Sequence, residues 1–408
     1  MTGAQQNQVV FSTNVNLEAA FEVAQQILPD SGFVQARDSI KLWHNYSPTP
    51  LIDLPGLAKL TGVAQISVKD ESSRFGLGSF KALGGSYAVY CLLIDRICTT
   101  TGRRPDAAQV MAGDYADLVG DIVVTCTTDG NHGRSVAWGA ARFGCRCVIY
   151  VHEGVTEARA EAIRSLGAEV VRAGRTYDES VEINARDAAE RGWNVVADTS
   201  VEDAPPATVA IMQGYRLMVE EAVDQLPASP THVILQVGCG GFAAAVTAHL
   251  LGRVNNRPCF IAVEPETAAC LAPSVLEHKP TAASGNLETL MAGLSVGQMS
   301  KVAWEILSCA ITSVIVIPDE AAATAMRILA DGANGDPSIV AGESGAAGLA
   351  GLLSIADDES ARLRLGLDHT SRVLLVNTEG ATDPAVYREL VGRPPASQSL
   401  NENERRKL

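Results

Sequence analysis

Aromatic side chains make up only 5% of the 408 residues, and no apolar run approaches the roughly 20 uncharged residues that a membrane-crossing helix needs. The first shortage, set beside 36 glycines and a 47% hydrophobic content, fits small residues packed closely on alternating strands and helices. It does not fit a disordered chain or a disulfide scaffold. The N-terminal stretch lacks both the basic region and the apolar core of a signal peptide, so a cytoplasmic location is expected. Positive charge is scarce as well: 32 Lys and Arg stand against 47 Asp and Glu, a net charge of -15. Such a chain is repelled on average by nucleic acid and by anionic membrane, which leaves a small molecule as the expected partner. The nine cysteines are odd in number and scattered. Cys145 and Cys147 have no histidine or second cysteine pair at ligand spacing, so reduced thiols and no metal are expected.

What is present is a regular alternation. From residue 121 strand-like and helix-like segments follow one another with glycine-punctuated turns: strands at 122–127, 147–151, 169–172 and 193–197, helices at 134–143, 157–166 and 177–190. A second series begins after Pro205 and Pro206, with a helix at 209–226, strands at 232–237, 259–263 and 373–377, and helices between them. Alternation of this kind predicts an α/β chain with right-handed crossovers and mainly parallel sheets. We read a larger domain formed by residues 1–87 and 201–408, and a smaller inserted α/β domain formed by 88–200. Residues 99–120 read as an exposed connection, and the tail from Pro394 as mobile.

Chemistry concentrates in a few turns. Lys81 stands in a run of small, apolar and glycine residues at a loop-to-helix entry, where a bulky partner can lie against the backbone. Desolvation there is expected to lower the ammonium pKa and make the amine a carbonyl nucleophile. Parallel sheets bind ligands at the carboxyl ends of their strands, and three turns after strands are unusual. Thr127-Thr-Asp-Gly-Asn-His-Gly133 crowds a carboxylate, an amide and an imidazole into one helix start. Val237-Gly-Cys-Gly-Gly-Phe242 offers helix-start amides suited to a phosphate; it matches neither the dinucleotide fingerprint nor a Walker loop. Ala341-Gly-Glu-Ser-Gly345 presents Glu343 and Ser344 to a crevice, and strand 373–377 ends at Thr378, a hydroxyl rather than a carboxylate. One lysine, a phosphate cup, an asparagine and a hydroxyl are the set that pyridoxal 5'-phosphate uses.

Taken together these motifs resemble the fold-type II pyridoxal phosphate enzymes of the tryptophan synthase β-like superfamily, and within it the diaminopropionate ammonia-lyase family. The likeness rests on Ser79-Phe-Lys81, Thr128-Asp-Gly-Asn-His-Gly133, Ile211-Met-Gln-Gly-Tyr215, Val263-Glu-Pro265, Gly342-Glu-Ser-Gly345 and Asn377-Thr-Glu-Gly-Ala-Thr-Asp383. It implies the two-domain, three-layer fold of that superfamily, a homodimer, and α,β-elimination of 2,3-diaminopropionate to pyruvate and two ammonia. By the same resemblance Lys81, next to Phe80, carries the cofactor covalently and removes the Cα proton of the L-substrate. Asn131 meets the cofactor's phenolic oxygen; Gly238, Cys239, Gly240, Gly241 and Phe242 surround its phosphate; Thr378 meets its pyridine nitrogen. A hydroxyl there leaves the ring unprotonated, a weaker electron sink that favours β-elimination. Asp129 is the acid/base for the D-substrate on the opposite face, and Asp198 and Tyr177 belong to the substrate site.

The chain departs from the family after Asp198. Thr199-Ser-Val-Glu-Asp-Ala-Pro-Pro-Ala207 stands where the family carries a tryptophan and a tyrosine near the substrate. A lyase or dehydratase for another β-substituted alanine, such as serine, threonine or chloroalanine, is therefore the alternative reading. A cofactor-free binding protein is the alternative from another class, and Lys81 with both glycine turns argues against it.

Overall fold

Strands rich in Val, Ile and Leu, apolar on both faces, set the architecture. The computed structural model describes residues 8–200, 204–254 and 256–396. Its strands in chain order are β1 (Gln8–Phe11), β2 (Leu51–Asp53), β3 (Gln65–Asp70), β4 (Val123–Thr127), β5 (Arg146–Val151), β6 (Glu169–Arg172), β7 (Asn194–Val195), β8 (His232–Gln236), β9 (Cys259–Pro265), β10 (Ile311–Ile317) and β11 (Arg372–Asn377). A seven-stranded sheet has the order β1-β10-β9-β8-β11-β3-β2, and a four-stranded sheet the order β6-β5-β4-β7. The five inner strands of the large sheet run parallel, while β1 and β2 close its edges antiparallel. All pairings in the small sheet are parallel.

Alternation along the large-sheet strands divides the core. Val233, Leu235, Val314 and Leu374 enter one cluster, and their neighbours Ile234, Ile315, Val373 and Leu375 the other. Parallel strands are stable only with both faces covered, and helices cover both. Val124, Cys126, Ile149 and Val151 of the small sheet belong to the same cluster as Val233 and Val314, so one continuous apolar body joins the two sheets.

The predicted α/β alternation is present, with differences that have local causes. The connection expected at 99–120 is partly helical. The helix Ala82–Thr101 runs on to Gly102, and Ala107–Ala112 starts on a capping box between Asp106 and Gln109. Strand β10 escaped the sequence reading because it leaves the helix Lys301–Ala310 with no intervening turn. Strands β1 and β2 are four and three residues long. Edge pairing, rather than any period-2 pattern of their own, makes them strands. The stretch of the tail from residue 397 lies outside the described residues.

Two features hold the segments on either side of Lys81. The helix Ala82–Thr101 lies against the helix Pro206–Gln225 at glycine: a Cβ on Gly214 would sit 2.1 Å from the Leu83 carbonyl oxygen. Below the loop, the buried Arg74 guanidinium bonds Glu71 at 2.7 and 2.8 Å and Glu221 at 2.7 and 3.0 Å. Lys69 adds a 2.8 Å contact to Glu221. Buried charge is tolerated because each partner is multiply bonded.

Candidate active site

Lys81 precedes the first turn of the helix Ala82–Thr101, and its backbone is tied down from two directions. Ser135 Oγ, on the helix Asn131–Phe143, donates to the Lys81 carbonyl at 2.6 Å. On the other side Phe80 N donates to Thr378 O at 3.1 Å and Gly380 N to Gly78 O at 3.0 Å, which clips the lysine loop to the end of β11. The amine itself pairs with Asp198 Oδ2. Burial alone would depress its pKa, but the Asp198 carboxylate, with Tyr215 and Cys239 nearby, outweighs burial and raises it well above the ordinary lysine value. The expectation of a depressed amine is therefore corrected. Desolvation is present, and an ion pair that the lysine loop alone does not reveal reverses its effect.

Asp198 follows β7 and has a second cationic candidate in His132, whose Nδ1 lies 3.8 Å from Oδ2. Burial would raise the Asp198 pKa; His132 and Lys81 instead hold the carboxyl well below the usual range. Burial pushes His132 itself down, so at neutral pH the cation facing Asp198 is Lys81. The His132 Nε2 bonds the Val196 carbonyl at 2.7 Å, and its Nδ1 is buried without a partner among the described residues.

Around this pair one cavity gathers most of the expected residues: Phe80, Lys81, Asp129, Asn131, Tyr177, Asp198, Gly238, Cys239, Gly240, Gly241, Phe242, Ser344 and Thr378 all line it. Phe80 is wedged between Tyr215 and Phe242, at ring distances of 4.6 and 5.0 Å. Tyr177 opens the helix Tyr177–Arg191, and burial, then Asp198 and Asp129, raise its phenol far above the ordinary value. Glu343 is buried but is not on the cavity wall; burial and the neighbouring Glu379 push its carboxyl up to about 7. The loop 199–207 reaches the cavity at Thr199, and residues 201–203 of it lie outside the described residues.

Several lining residues escaped the sequence reading. Glu379 accepts from Asn131 Nδ2 and, at 3.1 Å, from the Ser344 amide. Gln236 Nε2 lies 2.9 Å from Thr378 Oγ1 and 3.0 Å from the carbonyls of Ser344 and Val376. Ala292 to Ser295 form the wall that also holds the glycine turn, and Arg134 and Arg159 bring positive charge to the cavity. Glu379 lay within a quoted motif, but its role depends on a contact 248 residues away in the chain.

The residues present fit pyridoxal phosphate. Gly240 has φ +89, and a Cβ there would lie 2.5 Å from Met299 Cε, so the turn before the thirteen-residue helix Gly241–Arg253 remains bare backbone. First-turn amides have no intrahelical acceptor and are available to a phosphate. Thr378 Oγ1, placed to accept from Gln236, keeps its own proton for a ring nitrogen.

Comparison with known proteins agrees with the geometry. The family model described as pyridoxal-phosphate dependent enzyme matches residues 42–379. Diaminopropionate ammonia-lyase of Escherichia coli strain K12 is 39% identical over 354 residues, covering 85% of this chain and 87% of the relative. The crystal structure of the Escherichia coli enzyme with an aminoacrylate-PLP azomethine reaction intermediate superposes with a TM-score of 0.85 at 36% identity, covering 95% of this chain and 97% of that one. The same enzyme in complex with D-serine gives 0.86 at the same identity and coverage. The chain belongs to the pyridoxal-phosphate dependent enzymes of fold-type II and, among them, to the diaminopropionate ammonia-lyase family.

Proposed function

We propose that this chain is an ammonia-lyase that uses pyridoxal 5'-phosphate to convert 2,3-diaminopropionate and water to pyruvate and two ammonia. The observation that carries the reading is the placement of two carboxylates, Asp129 and Asp198, on the wall of the cavity that contains Lys81. Asp198 is already paired with an ammonium, that of Lys81. The β-ammonium of diaminopropionate is the group that takes Lys81's place there, whereas the neutral hydroxyl of serine needs no counter-charge.

Bound in this site, the cofactor supplies the electron sink that acidifies the substrate Cα–H. Lys81, Asn131, Thr378 and the amides of residues 238–242 would hold it. Lys81 would remove the Cα proton of the L-isomer. Asp129 moves the corresponding proton of the D-isomer from the other face; the relative's complex with D-serine supports room for a D-amino acid. Asp198 and Tyr177 orient the β-amine for departure.

Lys81→Ala should release no measurable pyruvate. Asp129→Asn should lose more activity on D- than on L-diaminopropionate, and equal losses reject the two-face assignment. Pyruvate release from serine, threonine and chloroalanine tests the substrate; a clear preference for serine over diaminopropionate favours a dehydratase instead.

Residues 1–87 with 201–408 form the larger domain in this reading and 88–200 the smaller; the two separate sheets support it. A cytoplasmic homodimer completes it. Among the described residues no helix is long and apolar enough to cross a membrane, and all nine cysteines are free thiols.

A further inference from the structure

Among the described residues, Asp129 is the one carboxylate on the cavity wall whose partner comes from outside that wall. His152, the first residue after β5, bonds Asp129 Oδ1 through Nε2 at 2.8 Å. The other ring nitrogen is occupied: the Gly154 amide donates to Nδ1 at 3.1 Å. A nitrogen that accepts a backbone N–H carries no proton, so the neutral ring has its proton on Nε2 and donates it to Asp129. The turn around the ring is locked. The His152 carbonyl accepts from Val155 N at 3.2 Å and from the Arg172 guanidinium at 3.2 Å. A Cβ on Gly154 would stand 2.8 Å from His152 Cε1, so glycine is what lets the imidazole lie over the turn. Among the described residues no donor reaches the second oxygen of Asp129.

We propose that His152 is a positioning residue for Asp129: its Nε2–H anchors one carboxylate oxygen and leaves the other free to carry the proton at the substrate carbon. The proposal rests on the assignment of Asp129 to the D-isomer. A base held through one oxygen from behind keeps a single rotamer, and misplacing a reacting group by about 1 Å costs up to roughly a hundredfold in rate. Lys81, anchored independently through Ser135, does not depend on this contact.

The test is steady-state pyruvate release by the cofactor-loaded enzyme on D- and L-2,3-diaminopropionate for wild type, His152→Leu, His152→Gln and Gly154→Ala. His152→Leu should lower kcat on the D-isomer about tenfold more than on the L-isomer, with KM within about twofold. His152→Gln, whose amide N–H replaces Nε2–H, should recover most of the loss, and Gly154→Ala, which displaces the ring, should reproduce it. Equal losses on both isomers, a loss confined to KM, or no recovery with glutamine overturns the role of His152. If wild type is active on the D-isomer and Asp129→Asn loses both isomers equally, the assignment of Asp129 fails, and this proposal with it.

Discussion

The contact between Gly214 and Leu83 sets a measurable limit on where Lys81 can stand. Adding one methyl as Gly214→Ala places a Cβ 2.1 Å from the Leu83 carbonyl oxygen and 2.9 Å from its carbon. The obstacle is backbone, so no rotamer change relieves it. Ordinary contact near 3.4 Å requires the two helices to part by about 1.3 Å, the difference from 2.1 Å. Helical alanine by itself would stabilise by roughly 0.5–1 kcal/mol, and overpacking of a filled interface costs about 1–3 kcal/mol. A net loss of about 1–2 kcal/mol should appear in urea unfolding followed by circular dichroism. Leu83 is two residues from Lys81, so the amine moves with the helix, and kcat for pyruvate release should fall by up to about a hundredfold. Gly252→Ala serves as the reference, since its Cβ would meet only side-chain atoms, the nearest at 3.4 Å. A Gly214→Ala enzyme as stable and as active as Gly252→Ala would refute the idea that this helix contact sets the lysine position.

Two further outcomes concern buried charge. Arg74→Ala leaves Glu71 and Glu221 without their shared guanidinium, and should cost about 3–5 kcal/mol of unfolding free energy measured in urea; a loss under about 1 kcal/mol would mean the carboxylates find other partners. Glu343, pushed up to about 7 from 4.5 by burial and then by Glu379, keeps a proton in the folded chain that the unfolded chain has released. Stability should therefore fall as pH rises from about 4.5 to 7, by a few kcal/mol at most, and Glu343→Gln should flatten the slope in denaturation curves across that window. An unchanged slope would assign the dependence to other groups.

The parts of the site that were legible in the sequence are those whose meaning lies within a few residues. Lys81, the turn from Thr127 to Gly133 and the glycines at 238–241 announce themselves because strand, turn and helix start are adjacent in the chain, and all of them reach the cavity. Gln236 and His152 did not, because each acts through a partner far along the chain: Thr378 for one, Asp129 for the other. The raised pKa of Lys81 was missed for the same reason, since its carboxylate lies 117 residues downstream. In the fold, β1 became a strand only through the exposed edge of β10, and nothing local marks it.

The clip between residues 78–80 and 378–380 has a bearing on redesign. Phe80 and Thr378 share a backbone bond, as do Gly78 and Gly380, so the lysine loop and the end of β11, the two segments proposed to anchor the cofactor and to meet its ring nitrogen, form one floor whose two halves are not separately adjustable. A laboratory effort to broaden the range of accepted amino acids is better spent at Thr199, which borders the same cavity and takes no part in this clip. A change there leaves the backbone bonds between residues 78–80 and 378–380 in place.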